Sequence, residues 1–260
     1  MKFSFHKYQG TGNDFVMIDD RQLLFPASNQ PLIERLCHRR FGVGADGLIL
    51  IRTHQEFDFQ MVYFNSDGRE GSMCGNGGRC AVAFAHSLGL FKNHTTFMAV
   101  DGLHEAELLA DGKVRLKMQD VSQVERNEEF SYLNTGSPHY VTFRESLKDY
   151  DVFGAGKAVR YNARFSAEGT NVNFVEKMPD NTLFVRTYER GVEDETFSCG
   201  TGVTAAALVA ASAWESPINI RTLGGDLQVS FHKKNSEASH FEDIFLIGAA
   251  QKVFEGTTKI

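Results

Sequence analysis

The chain lacks three features that would assign it to large classes of protein. It has no apolar run of about 18 residues, so we expect no membrane-spanning helix and no membrane partner. Its first residues contain no apolar segment followed by a small-residue cleavage site, so we expect no signal peptide. Basic residues are outnumbered, with 27 Lys and Arg against 33 Asp and Glu, and the net charge of −6 argues against a nucleic-acid partner.

Cysteine is also scarce. The four cysteines, at positions 37, 74, 80 and 199, contain no Cys-x-x-Cys pair and do not form a disulfide framework, so we expect free thiols. No histidine lies at a spacing that would complete a zinc site with Cys74 and Cys80, and we expect no metal. Cys37 and Cys80 are expected to pack inside helices as small apolar side chains.

The hydrophobic pattern predicts many strands and a few helices. With 42% apolar residues the chain can bury hydrophobic cores, and a length of 260 residues favours two domains. A first helix is predicted at residues 31–39, capped by Ser28 or Asn29. Strands are predicted at residues 57–65, 103–109, 114–118, 182–188 and 227–231, with Asp111-Gly112 forming a hairpin turn between the second and third.

Two further helices are predicted directly after Cys74 and Cys199. The first runs to a stop near Gly89, and the second continues through residues 205–211. Both are apolar nearly all round, which is typical of a buried helix. Each half of the chain is therefore predicted to place a sheet around one central helix, with a cysteine at the start of that helix.

A diffuse internal repeat supports two similar halves. The segment 12–16 is similar to the segment 170–175, and Asn65 precedes Cys74 as Glu189 precedes Cys199. Cys74-Gly75-Asn76-Gly77 is similar to Cys199-Gly200-Thr201-Gly202. The repeat predicts two similar lobes with a cleft between them.

A cysteine at a helix start is suited to acid/base chemistry. The first N–H groups of a helix and its macrodipole stabilise a negative charge, so a thiol there is more acidic than a free thiol, and a carboxylate can bind beside it. Inverting a stereocentre next to a carboxylate needs one group to remove the Cα proton and a second to deliver a proton to the opposite face. Two lobes that each offer one cysteine would meet that need, and helix N–H groups would stabilise the developing charge.

Six motifs, in chain order, resemble those of the diaminopimelate epimerase family. They are Gly12-Asn13-Asp14-Phe15, Asn65-x-Asp67-Gly68, Cys74-Gly75-Asn76-Gly77-Gly78-Arg79-Cys80, Gly169-Thr170-Asn171-Val172-Asn173-Phe174-Val175, Glu189-Arg190-Gly191 and Cys199-Gly200-Thr201-Gly202. The ending Val253-Phe254-Glu255-Gly256 is similar to the family's final strand. The resemblance covers nearly the whole chain, and the combination of motifs is specific.

The resemblance implies interconversion of LL- and meso-2,6-diaminopimelate in lysine and peptidoglycan precursor biosynthesis. It implies a cytoplasmic homodimer that uses no pyridoxal phosphate and no metal. The implied fold is α/β (α+β), with two pseudo-symmetric lobes that each curl a mainly antiparallel sheet around a central helix. The first lobe would span residues 1–122 with a returning strand at about 250–260, and the second would span residues 123–249.

The resemblance also implies a role for each motif residue. Cys74 and Cys199 would be the acid/base pair, and His139 and Glu189 would tune the two thiols. The substrate-binding residues would be Asn13, Asn65, Gly75, Asn76, Asn171, Glu189, Arg190, Gly200 and Thr201. Two positions depart from the family pattern, because many members have Asn where this chain has Ser137 and Gln where it has Gly47.

Three other functions compete with this interpretation. The first is a racemase of another amino acid that uses two thiols, such as proline racemase, although Asn76 and Glu189-Arg190 fit a primary amine and a second carboxylate better. The second is a cysteine hydrolase or transferase with Cys74 as nucleophile and His139 as base, which gives Cys199 no role. The third is a binding module that uses the helix starts as anion pockets without catalysis.

Overall fold

The computed structural model describes residues 2–234 and 238–259. The chain forms two compact units, the first comprising the chain up to Leu116 and from Gly248 onward, the second Lys117–Ile247. The lobe boundaries at residues 122 and 249 stay a prediction, because a compact unit is not by itself an independently folding domain. No helix within the described ranges is long and apolar enough to cross a membrane.

The secondary structure is mainly strand, with four α-helices and one short 3-10 turn, Leu147–Asp149, in the described residues. The helices are α1 (Gln30–Cys37), α2 (Gly75–Ser87), α3 (Val152–Arg160) and α4 (Gly200–Ala210). The strands are β1 (Lys2–Gly10), β2 (Asn13–Asp19), β3 (Gly47–Arg52), β4 (Phe59–Asn65), β5 (His94–Ala99), β6 (Gly102–Leu108), β7 (Val114–Lys117), β8 (Val124–Arg126), β9 (Ser131–Asn134), β10 (Pro138–Phe143), β11 (Asn171–Met178), β12 (Thr182–Glu189), β13 (Asp194–Thr196), β14 (Ile218–Thr222), β15 (Gly225–Lys233), β16 (Phe241–Gly248) and β17 (Gln251–Lys259). This mixed α/β composition confirms the predicted fold class.

The first unit surrounds α2 with strands. β1 pairs antiparallel with β2 and with the C-terminal strand β17. β2 pairs parallel with β3, to which the chain is connected through α1, and β3 pairs antiparallel with β4. After α2 the chain returns as β5, parallel to β4, and continues in the antiparallel ladder β5–β6–β7. Strands β1 to β4, β6 and β17 all pack against α2. The helix is buried through most of its length, as its apolar sequence predicts.

The second unit repeats this order of pairing. β9 pairs antiparallel with β10, β10 pairs parallel with β11 across α3, and β11 pairs antiparallel with β12. After α4 the chain returns as β14, parallel to β12 and antiparallel to β15. Residues 202–210 of α4 are buried, so this helix is the centre of the second core as α2 is of the first.

The strand registers correct part of the repeat predicted from the sequence. β2–β3 pairs Phe15 with Gly47, and β10–β11 pairs His139 with Asn171. Phe15 and His139 are therefore corresponding residues of the two first strands, and Gly47 and Asn171 are corresponding residues of the two second strands. Two residues earlier in the first strands, Asn13 corresponds to Ser137. The predicted match of segment 12–16 with segment 170–175 is wrong, because it aligned the first strand of one parallel pair with the second strand of the other.

Most predicted elements lie close to their observed positions. Asn29 is the N-cap of α1, since its Oδ1 accepts a hydrogen bond from the backbone N–H of Leu32 at 3.2 Å. The hairpin around Asp111-Gly112 pairs Leu108 with Val114. Helix α3, which begins at Val152 after the N-cap Asp151, was not predicted. Its sequence contains two glycines within nine residues, which weakens a helical pattern.

Candidate active site

Each unit places one cysteine at the N-cap of its central helix. Cys74 precedes α2 with φ −101° and ψ 134°, and Cys199 precedes α4 with φ −113° and ψ 113°. The carbonyl of each cysteine accepts the first helical hydrogen bond, from Gly78 N–H at 2.7 Å and from Val203 N–H at 2.9 Å. The N–H groups of the first turn have no partner inside a helix and favour an anion. Both sulfurs therefore lie where a thiolate is stabilised.

In the first unit, Asn13 lies next to the Cys74 thiol. The Cys74 Sγ is 3.6 Å from Asn13 Oδ1, and Asn76 Nδ2 donates to the same oxygen at 3.4 Å. Asn13 Nδ2 donates to Asp46 Oδ2 at 2.7 Å, which fixes the orientation of the Asn13 amide. Asn13 thus contacts two other predicted site residues, Cys74 and Asn76.

A cluster of charged side chains next to Asn13 holds Asp46 in place. Arg39 donates to Asp46 at 2.7 Å and to both carboxylate oxygens of Asp14, and Lys7 pairs with Asp14 at 2.7 Å. Burial raises the pKa of Asp14, but the hydrogen bonds from Arg39 and Lys7 outweigh it and hold that pKa well below its usual value. The Asp14 carboxylate therefore stays charged, and its neighbour Asp46 remains tied to the same guanidinium.

Asn65 is the last residue of strand β4, and the chain continues from it to Cys74. Its side chain is exposed, and its Oδ1 accepts a hydrogen bond from the Tyr63 hydroxyl at 3.0 Å. Gly47 pairs with Asn65 across the strands β3 and β4. A Cβ on Gly47 would lie only 2.5 Å from the Tyr63 ring, so the tyrosine occupies the space that a longer side chain at position 47 would need.

In the second unit, the Cys199 Sγ is 3.4 Å from the Thr201 hydroxyl. The Thr201 carbonyl accepts from the Thr135 hydroxyl at 2.9 Å, which holds the first turn of α4 to the loop before β10. Gly200 is buried at the helix start, and a Cβ on Gly202 would lie 2.3 Å from Asn173 Oδ1. The α4 start therefore sits directly on the Asn173 side chain.

His139 is fully buried beside Asn173 and carries no charge at neutral pH. Burial, with a smaller contribution from the Arg190 charge, lowers its pKa to about 3. Asn173 Nδ2 lies 3.1 Å from His139 Nδ1 and donates to Tyr140 O at 2.9 Å, while Asn173 Oδ1 accepts from Thr187 at 3.0 Å. The amide therefore donates to Nδ1, and the proton of the neutral ring lies on Nε2, which has no hydrogen-bond partner among residues 2–234 and 238–259. His139 can donate from this atom.

Asn171, Ser137 and Arg190 form a second polar group. Asn171 Nδ2 donates to Ser137 Oγ at 2.9 Å, and Asn171 Oδ1 accepts from the Arg190 backbone N–H at 2.9 Å. The exposed Arg190 guanidinium donates to Ser137 Oγ at 3.4 Å and to Glu168 O at 3.0 Å. Glu189 bonds to the Thr196 hydroxyl at 2.9 Å. The Arg190 guanidinium is thus an exposed cation that is held by the Glu168 carbonyl and the Ser137 hydroxyl.

The remaining two cysteines are inert packing groups. Cys37 and Cys80 are both buried, and burial raises the pKa of each thiol to about 12. A thiol of this kind is almost entirely protonated at neutral pH. The prediction that these two side chains pack inside helices α1 and α2 is confirmed.

Comparison with known proteins decides the family. The family model described as diaminopimelate epimerase matches residues 5–124 and 131–253. A diaminopimelate epimerase of Flavobacterium psychrophilum is 50% identical over 255 residues, covering 97% of this chain and 98% of the relative. One of Aquifex aeolicus is 40% identical over 274 residues, covering 97% of this chain and 96% of the relative.

The chain belongs to the diaminopimelate epimerase family.

Solved structures of proteins with low sequence identity share the fold of this diaminopimelate epimerase family member. A phenazine biosynthesis protein of the PhzF family from Bacillus anthracis superposes with a TM-score of 0.77 at 14% identity, over 100% of both chains. A probable proline racemase from Agrobacterium radiobacter superposes with a TM-score of 0.70 at 13% identity, over 99% of this chain and 93% of that chain. At these identities the likeness concerns the fold alone.

The structure shows the surroundings of Ser137 and Gly47, the two positions where the sequence was expected to depart from the family pattern. Ser137 stands at the position equivalent to Asn13, and its hydroxyl contacts both Asn171 and Arg190. Gly47 stands at the position equivalent to Asn171, and Tyr63 fills the adjoining space. Both departures alter side chains at the same edge of the two repeated sheets.

Two buried polar residues were missed by sequence reasoning although they lie inside the quoted family motifs. Arg79 is fully buried in α2, and Asn173 is fully buried in β11. Each is a polar residue in an otherwise apolar element, and that pattern is the signal that could have identified them. Arg79 contacts the start of α2 and Asn173 contacts the start of α4.

Proposed function

We propose that this protein is a cofactor-independent epimerase that interconverts LL- and meso-2,6-diaminopimelate, with Cys74 and Cys199 as its two acid/base groups. One observation carries the proposal. Two structurally repeated units each place a cysteine at the N-cap of a central helix, in a chain 50% identical to a diaminopimelate epimerase. The two other cysteines are buried in packing and have no comparable position.

The reaction balances without a redox partner. One cysteine acts as a thiolate, removes the Cα proton and becomes a thiol, and the electron pair of the broken C–H bond moves into the carboxylate. The second cysteine, a thiol at the start, delivers its proton to the opposite face of the carbon and becomes a thiolate. The configuration is inverted, and the two cysteines exchange protonation states. The reverse reaction uses the same groups in exchanged roles.

Backbone and side-chain donors support this chemistry. The N–H groups that follow each cysteine, at Gly75-Asn76 and Gly200-Thr201, would bind the reacting carboxylate and stabilise the charge that develops on it. Arg190, held by Ser137 Oγ and Glu168 O, suits the distal carboxylate because a guanidinium binds carboxylates in a bidentate manner. Asn13, Asn65, Asn171 and Glu189 would bind the amino and carboxylate groups that remain.

His139 acts in this scheme as a hydrogen-bond donor rather than as a base. Its neutral ring presents Nε2–H, because Asn173 donates to Nδ1. The proposed tuning of a thiol by His139 therefore involves a neutral imidazole, because burial lowers the pKa of this ring to about 3.

The first test is incubation of LL-diaminopimelate with the protein in deuterated water, with no cofactor added. We expect meso product carrying deuterium at one α-carbon, because the delivered proton comes from a thiol that exchanges with solvent. Proline and trans-4-hydroxyproline serve as competing substrates, and we expect no turnover of either. Binding of diaminopimelate without any exchange at Cα would contradict the proposal and favour a binding module.

The second test separates the two cysteines from the other thiols. Cys74→Ala and Cys199→Ala should each lose net epimerisation by at least about three orders of magnitude, the scale of a lost acid/base group. Cys37→Ala and Cys80→Ala are the matched controls and should retain activity, because both thiols lie in packing. Full turnover by either of the first two variants would overturn the two-base assignment.

Cytoplasmic location and a homodimer belong to the same proposal, from the family resemblance. Size-exclusion chromatography with light scattering measures the oligomeric state of the purified chain. A monomer at working concentration that epimerises diaminopimelate at full rate would remove the dimer from the proposal without affecting its chemistry.

A further inference from the structure

A short turn in the second unit carries Arg190 from the end of β12 to the start of β13. Glu189 pairs with Asp194 across the two strands, so the turn consists of residues 190–193. The backbone N–H of Glu193 donates to Glu189 O at 2.8 Å, which closes the turn. The placement of Glu189 and Arg190, two residues of the proposed substrate site, therefore depends on the conformation of this turn.

Glu193 adopts a backbone conformation that is uncommon for its residue type. Its φ is +58°, in the left-handed region. Residues with a Cβ are disfavoured there, and they keep such a conformation when surrounding contacts hold it in place. A glycine would adopt it without this cost. The contacts of the Glu193 side chain are therefore what the chain gains by having a glutamate at this position.

The Glu193 carboxylate accepts four hydrogen bonds. Its Oε1 accepts from the Gly191 backbone N–H at 3.1 Å and from Arg160 Nε at 3.2 Å. Its Oε2 accepts from the hydroxyls of Tyr161 at 2.9 Å and Tyr188 at 3.2 Å. A carboxylate has about four acceptor positions, so its capacity is used. The side chain thus ties the turn to the end of α3 and to the buried Tyr188 of β12.

Arg160 lies beside Arg190, and Glu193 balances its charge. The two arginine side chains pass the same glycine, since a Cβ on Gly169 would lie 2.7 Å from Arg190 Cδ and 2.8 Å from Arg160 Cζ. Arg160 pairs with the Glu193 carboxylate at 3.2 Å, whereas within the described part of the chain the Arg190 guanidinium is bonded to neutral oxygens only. The charge of Arg190, and not that of Arg160, is therefore available to an anionic ligand.

The backbone on both sides of the Arg190 Cα is held by side chains. Asn171 Oδ1 accepts from the Arg190 N–H at 2.9 Å, and the next N–H along the chain, of Gly191, is the one that Glu193 binds. The two peptide groups that flank a Cα fix the direction in which its side chain leaves the backbone. The bonds from Asn171 and Glu193 therefore together set the direction of the Arg190 side chain.

We propose that Glu193 is a positioning residue that holds the 190–193 turn so that the Arg190 guanidinium is oriented to bind the distal carboxylate of the substrate. This inference rests on the proposed function, because it concerns the binding of diaminopimelate by Arg190. Glu193 acts through Arg190 and does not itself touch the substrate. Its loss therefore weakens substrate binding and leaves the proton transfers at the cysteines unaffected.

The test compares KM and kcat for LL-diaminopimelate in Glu193→Gly and Glu193→Gln. Glycine adopts the backbone conformation but removes the carboxylate, so we expect KM to rise about tenfold or more, with kcat within about twofold of wild type. A smaller folded fraction would instead lower kcat at unchanged KM. Glu193→Gln keeps an oxygen for the Gly191 N–H and an amide for the two tyrosine hydroxyls, so it should recover most of the affinity.

The matched control is Asp180→Gly, at the other end of β12. Asp180 lies in the turn between β11 and β12 and also has a positive φ, of +59°. The same substitution there relieves the same backbone conformation in a turn that carries no residue of the proposed site. KM and kcat of this variant should both equal those of the wild type.

A double variant shows whether Glu193 acts through Arg190. Arg190→Met alone should raise KM, and adding Glu193→Gly should raise it no further, because the effects of residues that act as one unit do not add. A further rise by the factor seen in Glu193→Gly alone would overturn the inference. It would also be overturned by a KM within about twofold of wild type in folded Glu193→Gly, or by a fall in kcat at unchanged KM.

One measurement on the wild-type protein decides the inference even where a substitution prevents folding. Gly191 is exposed, but its N–H is bonded to the Glu193 carboxylate. We expect this amide, followed by nuclear magnetic resonance, to exchange with deuterated water at least about tenfold more slowly than in an unstructured chain. Exchange at the unprotected rate would overturn the inference. The proposed epimerase activity is measured separately, by deuterium incorporation into diaminopimelate with the wild-type protein, so the two can fail independently.

Discussion

Two equivalent glycines in the two helix starts should respond differently to the same substitution. Gly77 and Gly202 each lie three residues after a cysteine, in α2 and α4. A Cβ on Gly202 would lie 2.3 Å from Asn173 Oδ1, whereas a Cβ on Gly77 would meet a flexible methyl of Ile49 at 3.3 Å. Gly202→Ala must therefore displace a buried amide, and Gly77→Ala needs only a small adjustment.

The size of the difference follows from the bonds of Asn173. Its amide makes hydrogen bonds with His139, Tyr140 and Thr187 at 2.9 to 3.1 Å, and moving it strains all three. Overpacking costs about 1–3 kcal/mol, and one broken buried hydrogen bond costs about 1–3 kcal/mol more. The gain in helix propensity from Gly to Ala offsets about 1 kcal/mol. We expect Gly202→Ala to lose about 1–5 kcal/mol of unfolding free energy, with a central value of about 3 kcal/mol, and Gly77→Ala to stay within about 1 kcal/mol of wild type.

Urea denaturation of the full chain, followed by far-ultraviolet circular dichroism, measures both variants against the wild type. Equal losses of unfolding free energy in the two variants would refute the reasoning. The reasoning depends on Gly202 packing against the polar side chain of Asn173 and on Gly77 packing against apolar side chains such as Ile49. A Gly77→Ala variant less stable than Gly202→Ala would refute it more strongly.

Three further predictions concern pH, reactivity and substrate affinity. Burial lowers the pKa of His139 from 6.5 to about 3 in the folded protein, so between these pH values unfolding takes up a proton. Each unit by which the pH falls in this range should therefore lower the unfolding free energy by about 1.4 kcal/mol. The unfolding free energy of His139→Gln should depend less steeply on pH, and an identical slope would contradict the buried neutral ring. Native protein treated with iodoacetamide at pH 8 should be labelled at the two N-cap cysteines and not at Cys37 or Cys80 until it is unfolded; mass spectrometry that finds either buried thiol labelled in the native state would refute their assignment as packing groups. Ser137→Ala should raise the KM for diaminopimelate about two- to tenfold with little change in kcat, since it removes a contact to Arg190; an unchanged KM would mean that the contact does not position the guanidinium.

The sequence was sufficient for the features that depend on local pattern. The N-cap at Asn29, the hairpin at Asp111-Gly112 and the buried helices after Cys74 and Cys199 all follow from residue types at fixed spacing, and the structure confirms each. The family was also readable, because its motifs occur in order along nearly the whole chain.

Features that depend on strand register were not readable. Similar Asn-containing segments begin at residues 12 and 170, but parallel pairing places Gly47 and Asn171 in equivalent positions instead. Nothing in the local sequence distinguishes the first strand of a parallel pair from the second. The polar network of His139, Asn173 and Thr187 is likewise assembled from three strands, so its hydrogen bonds appear only when those strands are paired.

The roles of charged residues within a motif were also out of reach. The sequence shows Arg79 in an apolar helix, but its bonds to Thr11 and to Gly75 depend on how β1 and α2 pack. Thr204 stands five residues after Cys199, as Arg79 stands five residues after Cys74, but the two side chains have nothing in common beyond a bond to the first residue of their helix. The difference between the two helix starts is therefore a property of the folded units.

The most direct measurement of the central claim is the isotopic content of the first product molecules formed from LL-diaminopimelate in deuterated water. If two separate thiols remove and deliver the proton, meso product should carry solvent deuterium at the inverted carbon from the earliest turnovers, while the remaining LL-substrate keeps its hydrogen. Early meso product that retains the substrate's own hydrogen would mean that a single group carries the proton from one face to the other, and the assignment of Cys74 and Cys199 as a pair would then fail.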